Sequence, residues 1–220
     1  GSSIKEVYEV TKVEYAALEK RAHELIEEKT NAIAKALAAK KDDLVVFNSL
    51  SFERNDAVKV PSSGYEGVTA FKSASGELYP VQRTFEGGLL FAGAPVPAKG
   101  YAVLSPVKEP LSPENGVTIQ SLNEIETPYY KIKLNNLGQF VSIFDKDAKR
   151  EVLREGGLGN VLRVYEDKPI YYDNWDIDIY YTQKSWVVDG LKSAEWIENG
   201  PVRIVLRLTY RFCESDIVQD

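Results

Sequence analysis

The chain has 220 residues, with 27 Lys+Arg against 33 Asp+Glu and a formal net charge of −6. Hydrophobic residues make up 44% and charged residues 27%, a globular balance and not a disordered one. No apolar run approaches the about 18 residues of a membrane span, and the acidic balance argues against general nucleic-acid binding. A single Cys excludes an internal disulfide, and a single His leaves a His-rich metal site or a Ser-His-Asp triad almost nothing to draw on. The start, Gly1-Ser2-Ser3, lacks Met and is not followed by a basic-then-apolar leader. It reads as an excised or tagged beginning, not a processed secretory one, and a cytoplasmic location is expected.

Residues 4–39 contain no Gly or Pro and are rich in Ala, Glu and Lys, good helix formers. Apolar positions at Ile4, Tyr8, Tyr15, Leu18, Ala22, Leu25 and Ile33 follow the three-four spacing of an amphipathic helix, interrupted at Thr11 and Lys29. Such a helix is roughly 50 Å long, and no partner helix is found elsewhere in the chain. It should pack on the β region, pair with another copy, or meet a neighbour supplied by upstream sequence; the last is the preferred reading.

From Leu44 onward the pattern is strands. Segments 44–47, 57–60, 68–71, 78–85, 89–91 and 100–104 are separated by turn clusters such as Pro61-Ser62-Ser63-Gly64 and Glu86-Gly87-Gly88. A polar stretch, 108–116, carries Pro110 and Pro113 and reads as a linker. Beyond it, 129–134 and 139–144 flank Asn135-Asn136-Leu137-Gly138 as a hairpin. Segments 161–165, 177–182, 186–188, 194–197 and 202–212 complete the set. In the last, Val202, Ile204, Leu206, Leu208 and Tyr210 alternate with Arg203, Arg207 and Arg211, the pattern of a half-exposed antiparallel strand. The chain is expected to stop after it with no closing element. Cys213 continues this strand and is expected to be a buried small hydrophobe; His23 is expected on or near the helix surface.

Dinucleotide, P-loop and zinc motifs are absent from the sequence. One segment is unusual: Tyr171-Tyr172-Asp173-Asn174-Trp175-Asp176-Ile177-Asp178-Ile179-Tyr180-Tyr181. Aromatic faces stack on sugars and carboxylates accept from hydroxyls, so it suits a sugar site. As a strand it would place Asp176 and Asp178 on one face, within the about 5–10 Å used by glycosidase acid pairs. A calcium loop lacks its turn glycine. The plain alternative is an aromatic strand whose acidic residues discourage aggregation.

Three stretches then carry a family resemblance. Val45-Val46-Phe47-Asn48-Ser49-Leu50-Ser51-Phe52-Glu53-Arg54 resembles the entry into the β region of glycoside hydrolase family 38 α-mannosidases of the bacterial type, with Ser49 in place of a proline. Tyr129-Tyr130-Lys131-Ile132-Lys133-Leu134 through Gly138-Gln139-Phe140 and on to Lys146 resembles the start of that family's C-terminal β domain. Asn160-Val161-Leu162, Asp167-Lys168-Pro169 and Tyr172-Asp173-Asn174-Trp175-Asp176-Ile177 resemble its next segment, with Asn174 in place of alanine.

The resemblance implies a mainly β fold: antiparallel β-sandwich domains, part of a galactose mutarotase-like super-sandwich, preceded by one long α-helix. Residues 1–43 would be the last helix of a helical middle domain, 44–109 a small β-sandwich, and 110–220 the beginning of the large C-terminal sandwich. It implies a parent that is a retaining, metal-dependent α-mannosidase acting on α-mannoside glycans. The zinc ligands and catalytic aspartates of the family lie in an N-terminal part with no counterpart here. No catalytic or metal residue is therefore assigned, zinc or another divalent ion is expected only in the missing catalytic domain, and the chain alone is expected to be inert. Tyr172, Asp173, Trp175 and Asp176 are the expected substrate-binding rim. Neither nucleic acid nor membrane is expected as a partner, and self-association through the helix is. The competing readings are a stand-alone carbohydrate-binding β-sandwich and a purely structural interaction module.

Overall fold

The computed structural model describes residues 4–37, 39–111, 117–172 and 175–220. The chain divides into two compact units, one of residues 1–81 and 89–111, the other of 82–88 and 112–220.

The first unit begins with helix α1, Lys5–Ala36. Glu6 in its first turn and Lys35 in its last complement the helix dipole. Thr11 and Thr30, poor helix formers, turn their hydroxyls back onto the carbonyls of Val7 and Ile26 at 2.9 and 2.7 Å. No residue of α1 is buried: Tyr15, Leu18 and Ile26 stand well out in solvent. The apolar seam is present and uncovered, and no described helix is long and apolar enough to cross a membrane.

Seven strands follow in the chain, of which β5 belongs to the second unit: β1 (Leu44–Asn48), β2 (Val58–Val60), β3 (Ala70–Lys72), β4 (Leu78–Pro80), β5 (Gln82–Arg83), β6 (Leu89–Phe91) and β7 (Gly100–Val107). The expected strand over 78–85 is broken at Val81, whose N–H donates to the Thr69 carbonyl at 2.9 Å. Within the first unit β1, β7, β3 and β4 form one antiparallel sheet, with Leu44 opposite Leu104 and Asn48 opposite Gly100. Strands β2 and β6 pair antiparallel, Val60 opposite Leu89. The core draws on both sets: Val60, Leu89 and Phe91 from one, Phe71, Tyr79 and Leu104 from the other. Phe71 lies 5.0 Å from Phe91 between ring centroids and meets Tyr65 edge-on at 5.3 Å. Two sheets whose apolar faces share one core are a sandwich.

The second unit contains β8 (Thr118–Ser121), β9 (Glu124–Glu126), β10 (Tyr130–Leu134), β11 (Phe140–Asp145) and β12 (Arg150–Glu151), an antiparallel meander in the order β12-β11-β10-β9-β8. The hairpin expected at Asn135-Asn136-Leu137-Gly138 joins β10 to β11. Gly138 supplies its left-handed corner at φ 73°, and the Asn135 carboxamide accepts from the Leu137 and Gln139 N–H groups. Next come β13 (Arg163–Tyr165) and β14 (Ser185–Val187), paired antiparallel. They are followed by β15 (Leu191–Asn199), β16 (Ile204–Phe212) and β17 (Ser215–Gln219), a three-stranded antiparallel sheet. Leu208 and Tyr210 of β16 pack with Val188, Val164 and Ile217 as this unit's buried cluster. The fold is thus mainly antiparallel β behind a single long helix, as the sequence predicts.

Three local expectations are corrected. Residues 177–182 are not a strand: 177 and 178 are irregular and Ile179–Gln183 is a short 3-10 helix. Ile177 and Ile179, at 71% exposure each, have no apolar face to join. Cys213 is exposed, in the turn after β16 with φ 51°, because the strand ends one residue before it. The stretch after β16 does contain a further element, β17, which folds back so that Ser215 lies opposite Phe212. Its weak pattern, Ser215-Asp216-Ile217-Val218-Gln219, hid a strand that β16 templates.

Candidate functional site

The aromatic and acidic residues singled out above lie in the second unit, on the excursion between β13 and β14. The base of that excursion is well tied. Tyr165 meets Tyr181 edge-on at 5.4 Å, and the Glu166 N–H donates to the Lys184 carbonyl at 3.0 Å. The Glu166 carboxylate accepts from Lys184 at 2.7 Å and pairs with Lys168 at 3.1 Å. Those two ammonium groups, Lys184 first, hold its carboxyl below the usual range. Lys184 also lies over the Trp186 ring at 5.1 Å from the centroid.

Above this base the Ile170 N–H donates to Asp178 Oδ2 at 2.7 Å, closing a neck between residues eight apart. Asp178 is therefore occupied in shaping the loop. With no strand at 176–178, the shared face that would pair it with Asp176 does not exist. Within the loop Tyr172 has φ 53°, and its carbonyl accepts from the Trp175 and Asp176 N–H groups at 2.7 and 3.0 Å. A left-handed tyrosine is held against a steric cost of about 1–2 kcal/mol. Tyr171, Tyr172 and Trp175 are 72, 74 and 60% exposed, and Asp176 is exposed too. Trp175 joins neither buried cluster of the described residues. Asp173, the remaining expected rim residue, lies outside the described residues. Rings, phenolic hydroxyls and a carboxylate open to solvent form a surface suited to stacking on and bonding to a sugar. It contains no nucleophile paired with a base, and among the described residues no group of three His, Cys, Asp or Glu side chains could hold a metal ion.

Sequence reasoning missed a buried polar knot elsewhere in the same unit. Glu198, 5% exposed, accepts from Arg203 Nε at 2.7 Å and Nη2 at 2.9 Å, from the Phe85 N–H at 2.7 Å and from Gln82 Nε2 at 3.0 Å. Gln82 completes the pattern: its Oε1 accepts from the Val202 and Arg203 N–H groups at 3.1 and 3.0 Å. The Arg203 guanidinium, against the opposing effect of burial, holds the Glu198 carboxyl below the ordinary carboxylate range. The knot straps residues 82–88 to the β15–β16 turn. Its partners lie more than a hundred residues apart in the chain, so no local pattern could have shown it.

Two asparagines of the resembling motifs acquire roles that are also structural. In the first unit the Asn48 Nδ2 donates to the carbonyls of Phe52, Val96 and Pro97 at 2.7, 3.1 and 3.1 Å, and its Oδ1 accepts from the Leu50 N–H at 3.0 Å. In the second, Asn160 and Gln219 exchange amide bonds at 3.0 and 2.6 Å while Asn160 also donates to the Gly138 carbonyl.

Residues 125–220 match the family model described as the glycosyl hydrolases family 38 C-terminal domain. Alpha-mannosidase G of Dictyostelium discoideum is 24% identical over 181 residues, covering 76% of this chain and 16% of its own length. Alpha-mannosidase 2C1 of Homo sapiens is 24% identical over 192 residues, 83% of this chain and again 16% of its own. The protein of the same name from Mus musculus is 29% identical over 94 residues, 40% of this chain and 9% of its own. The chain thus spans about a sixth of the length of the first two. The match falls on the unit built around the β10–β11 hairpin, the aromatic loop and the β15–β16–β17 sheet, so the chain is α-mannosidase-like and its residues 125–220 are similar to the C-terminal domain of glycosyl hydrolases family 38.

Proposed function

We propose that the chain is a non-catalytic β part of a retaining α-mannosidase that removes α-linked mannose from glycans, and that its loop at 170–178 forms a rim for the sugar. The observation behind the rim is the loop itself: Tyr171, Tyr172 and Trp175 are held outward by a neck hydrogen bond and a left-handed backbone instead of being folded under. Large aromatics kept in water at such conformational cost are usually placed for a partner. The resemblance assigns the chemistry to an aspartate nucleophile, a second carboxylic acid and a divalent ion. On this reading that chemistry lies outside residues 1–220, and the part of this chain is to position and to stack.

The test is Trp175→Ala in the complete enzyme. A stacking role raises KM for α-mannosides about tenfold, equivalent to about 1.4 kcal/mol, with kcat and the denaturation midpoint nearly unchanged. Unchanged kinetics, or a midpoint shift large enough to account for the lost activity, would refute the rim.

A further inference from the structure

Among the described residues of 170–180 the side chains are arranged inside out. The isoleucines, the tyrosines and Trp175 are exposed, and the half-buried residue is an acid, Asp178. Few buried apolar contacts mean low local stability, so the order of this loop comes from its hydrogen bonds.

Those bonds are stacked in three levels. At the base the Glu166 N–H meets the Lys184 carbonyl, and Tyr165 meets Tyr181. At the tip the Tyr172 carbonyl accepts from the Trp175 and Asp176 N–H groups, and the Tyr171 and Tyr172 rings lie 6.4 Å apart. Between the two, the Ile170 N–H on Asp178 Oδ2 at 2.7 Å joins the arms. Pro169 has no N–H, so Ile170 supplies the first donor beyond Lys168 on its arm.

Asp178 reaches this bond by giving up another. It stands at the N-cap of the 3-10 helix Ile179–Gln183, where an aspartate ordinarily accepts from the first N–H groups of the helix. Its backbone carbonyl does take the Tyr181 N–H at 3.1 Å, but its carboxylate makes no cap and reaches back eight residues instead. A hydrogen bond to an ionised acceptor is stronger than a neutral one, and here it fixes the spacing of the two arms. A cap would steady the short helix alone. The neck bond steadies Tyr171 and Tyr172, which follow Ile170 directly, and through the Tyr172 carbonyl it steadies Trp175 as well.

We propose that Asp178 is a positioning residue: it touches no sugar, and by holding the Ile170 N–H it sets Tyr171, Tyr172 and Trp175 as one stacking surface. The sugar half of this rests on the rim reading; the control of the loop by Asp178 does not.

The test pairs Asp178→Ala, which removes the acceptor, with Asp178→Asn, which keeps a side-chain oxygen for the Ile170 N–H. In the isotope-labelled 220-residue chain, order parameters at the Tyr171, Tyr172 and Trp175 amides should fall from about 0.85 to below about 0.6 in Asp178→Ala and stay high in Asp178→Asn. Those at Leu208 and Tyr210 should not move, which shows the unit to be folded. In the complete enzyme Asp178→Ala should raise KM for α-mannosides about tenfold at unchanged kcat, and Asp178→Asn should restore it. Combined with Trp175→Ala, it should fall well short of the about 100-fold rise that two independent tenfold effects give. Loop order that survives Asp178→Ala overturns the proposal, and so does the full 100-fold product. A raised KM in Asp178→Asn with loop order intact also overturns it, because the carboxylate would then be meeting the sugar itself. Order lost in Asp178→Ala, with KM unmoved both there and in Trp175→Ala, upholds the control of the loop and removes the sugar rim.

Discussion

Removing Glu198 tests whether the buried knot, and not apolar packing alone, holds residues 82–88 to the β15–β16 turn. Glu198→Ala deletes the acceptor for four donors. The Arg203 side chain is 40% exposed and regains water, so the about 3–5 kcal/mol for stranding a buried charge does not apply in full. Gln82 Nε2 keeps a second acceptor, the Arg203 carbonyl at 2.9 Å. The Phe85 N–H keeps none in the knot, at about 1–3 kcal/mol for an unsatisfied donor, and the charge-assisted pair is lost besides. The total is about 3 kcal/mol. With a urea m-value of about 2 kcal/mol/M, the midpoint should fall by about 1.5 M. All three tryptophans, Trp175, Trp186 and Trp196, belong to the second unit, so their fluorescence reports its unfolding. A drop below about 0.3 M would refute the assigned role.

The same carboxylate gives a pH signature of definite sign. Its folded value lies below that of the unfolded chain because Arg203 donates to the ionised form. Its contribution is therefore present above the ordinary glutamate value of about 4.3 and is lost as pH falls through the lower folded value. Glu198→Gln should flatten the acid arm of the stability profile below about pH 4.3 and leave its shape at neutral pH alone. An acid arm of unchanged slope would place the titration elsewhere.

Other outcomes follow from the same geometry. Gly138→Ala puts a Cβ against Leu208 and the Tyr210 hydroxyl at a left-handed position, and should cost about 2–4 kcal/mol in the tryptophan-monitored transition. Asn48→Ala takes the acceptor from the Leu50 N–H and a donor from the carbonyls of Phe52, Val96 and Pro97, of which Val96 and Pro97 keep the Arg54 and Gly100 N–H groups, at about 1–3 kcal/mol in the first unit. Hydrogen exchange at the Arg54 and Val96 amides, which bond to each other's carbonyls, should quicken while tryptophan fluorescence is unmoved. The 220-residue chain should not hydrolyse aryl α-mannosides; turnover that survives repurification would overturn its non-catalytic assignment.

The elements legible from sequence are those whose own residues settle the matter. Helix α1 needs only propensity and a Gly- and Pro-free run. The β10–β11 hairpin needs only Asn135-Asn136-Leu137-Gly138 between two apolar runs, and β16 announces itself by strict alternation. Strands β8, β9 and β17 are polar and short, and exist because a neighbour supplies the ladder: Glu124 and Glu126 of β9 lie opposite Lys133 and Lys131 of β10. The 170–181 region misled for the opposite reason. Its aromatic and β-branched residues carry high strand propensity, but propensity is packing in disguise. A run with no apolar face to cover stays irregular, here pinned by Asp178 on the Ile170 N–H. The candidate rim could thus be picked out by composition, whereas its conformation could not.

The three stretches that carry the family resemblance divide by what their residues turn out to touch. Asn48 spends its amide on carbonyls 4, 48 and 49 residues away. Gly138 leaves the only room the β10–β11 turn has against Leu208 and Tyr210 of another sheet. Asn160, itself left-handed at φ 56°, ties that turn to Gln219 of β17. Each is a joint between segments distant in sequence, and a joint admits few substitutes because both its hydrogen-bonding shape and its backbone angle are fixed. Tyr172 and Trp175, in the third stretch, touch solvent and little else. The two groups should therefore separate cleanly in the complete enzyme. Changes at Asn48, Gly138 and Asn160 should lower the amount of folded protein with KM intact, while changes at Tyr172 and Trp175 should move KM with stability intact. On the proposed function, a resemblance read from all five together points to the fold through the first three and to the sugar through the last two.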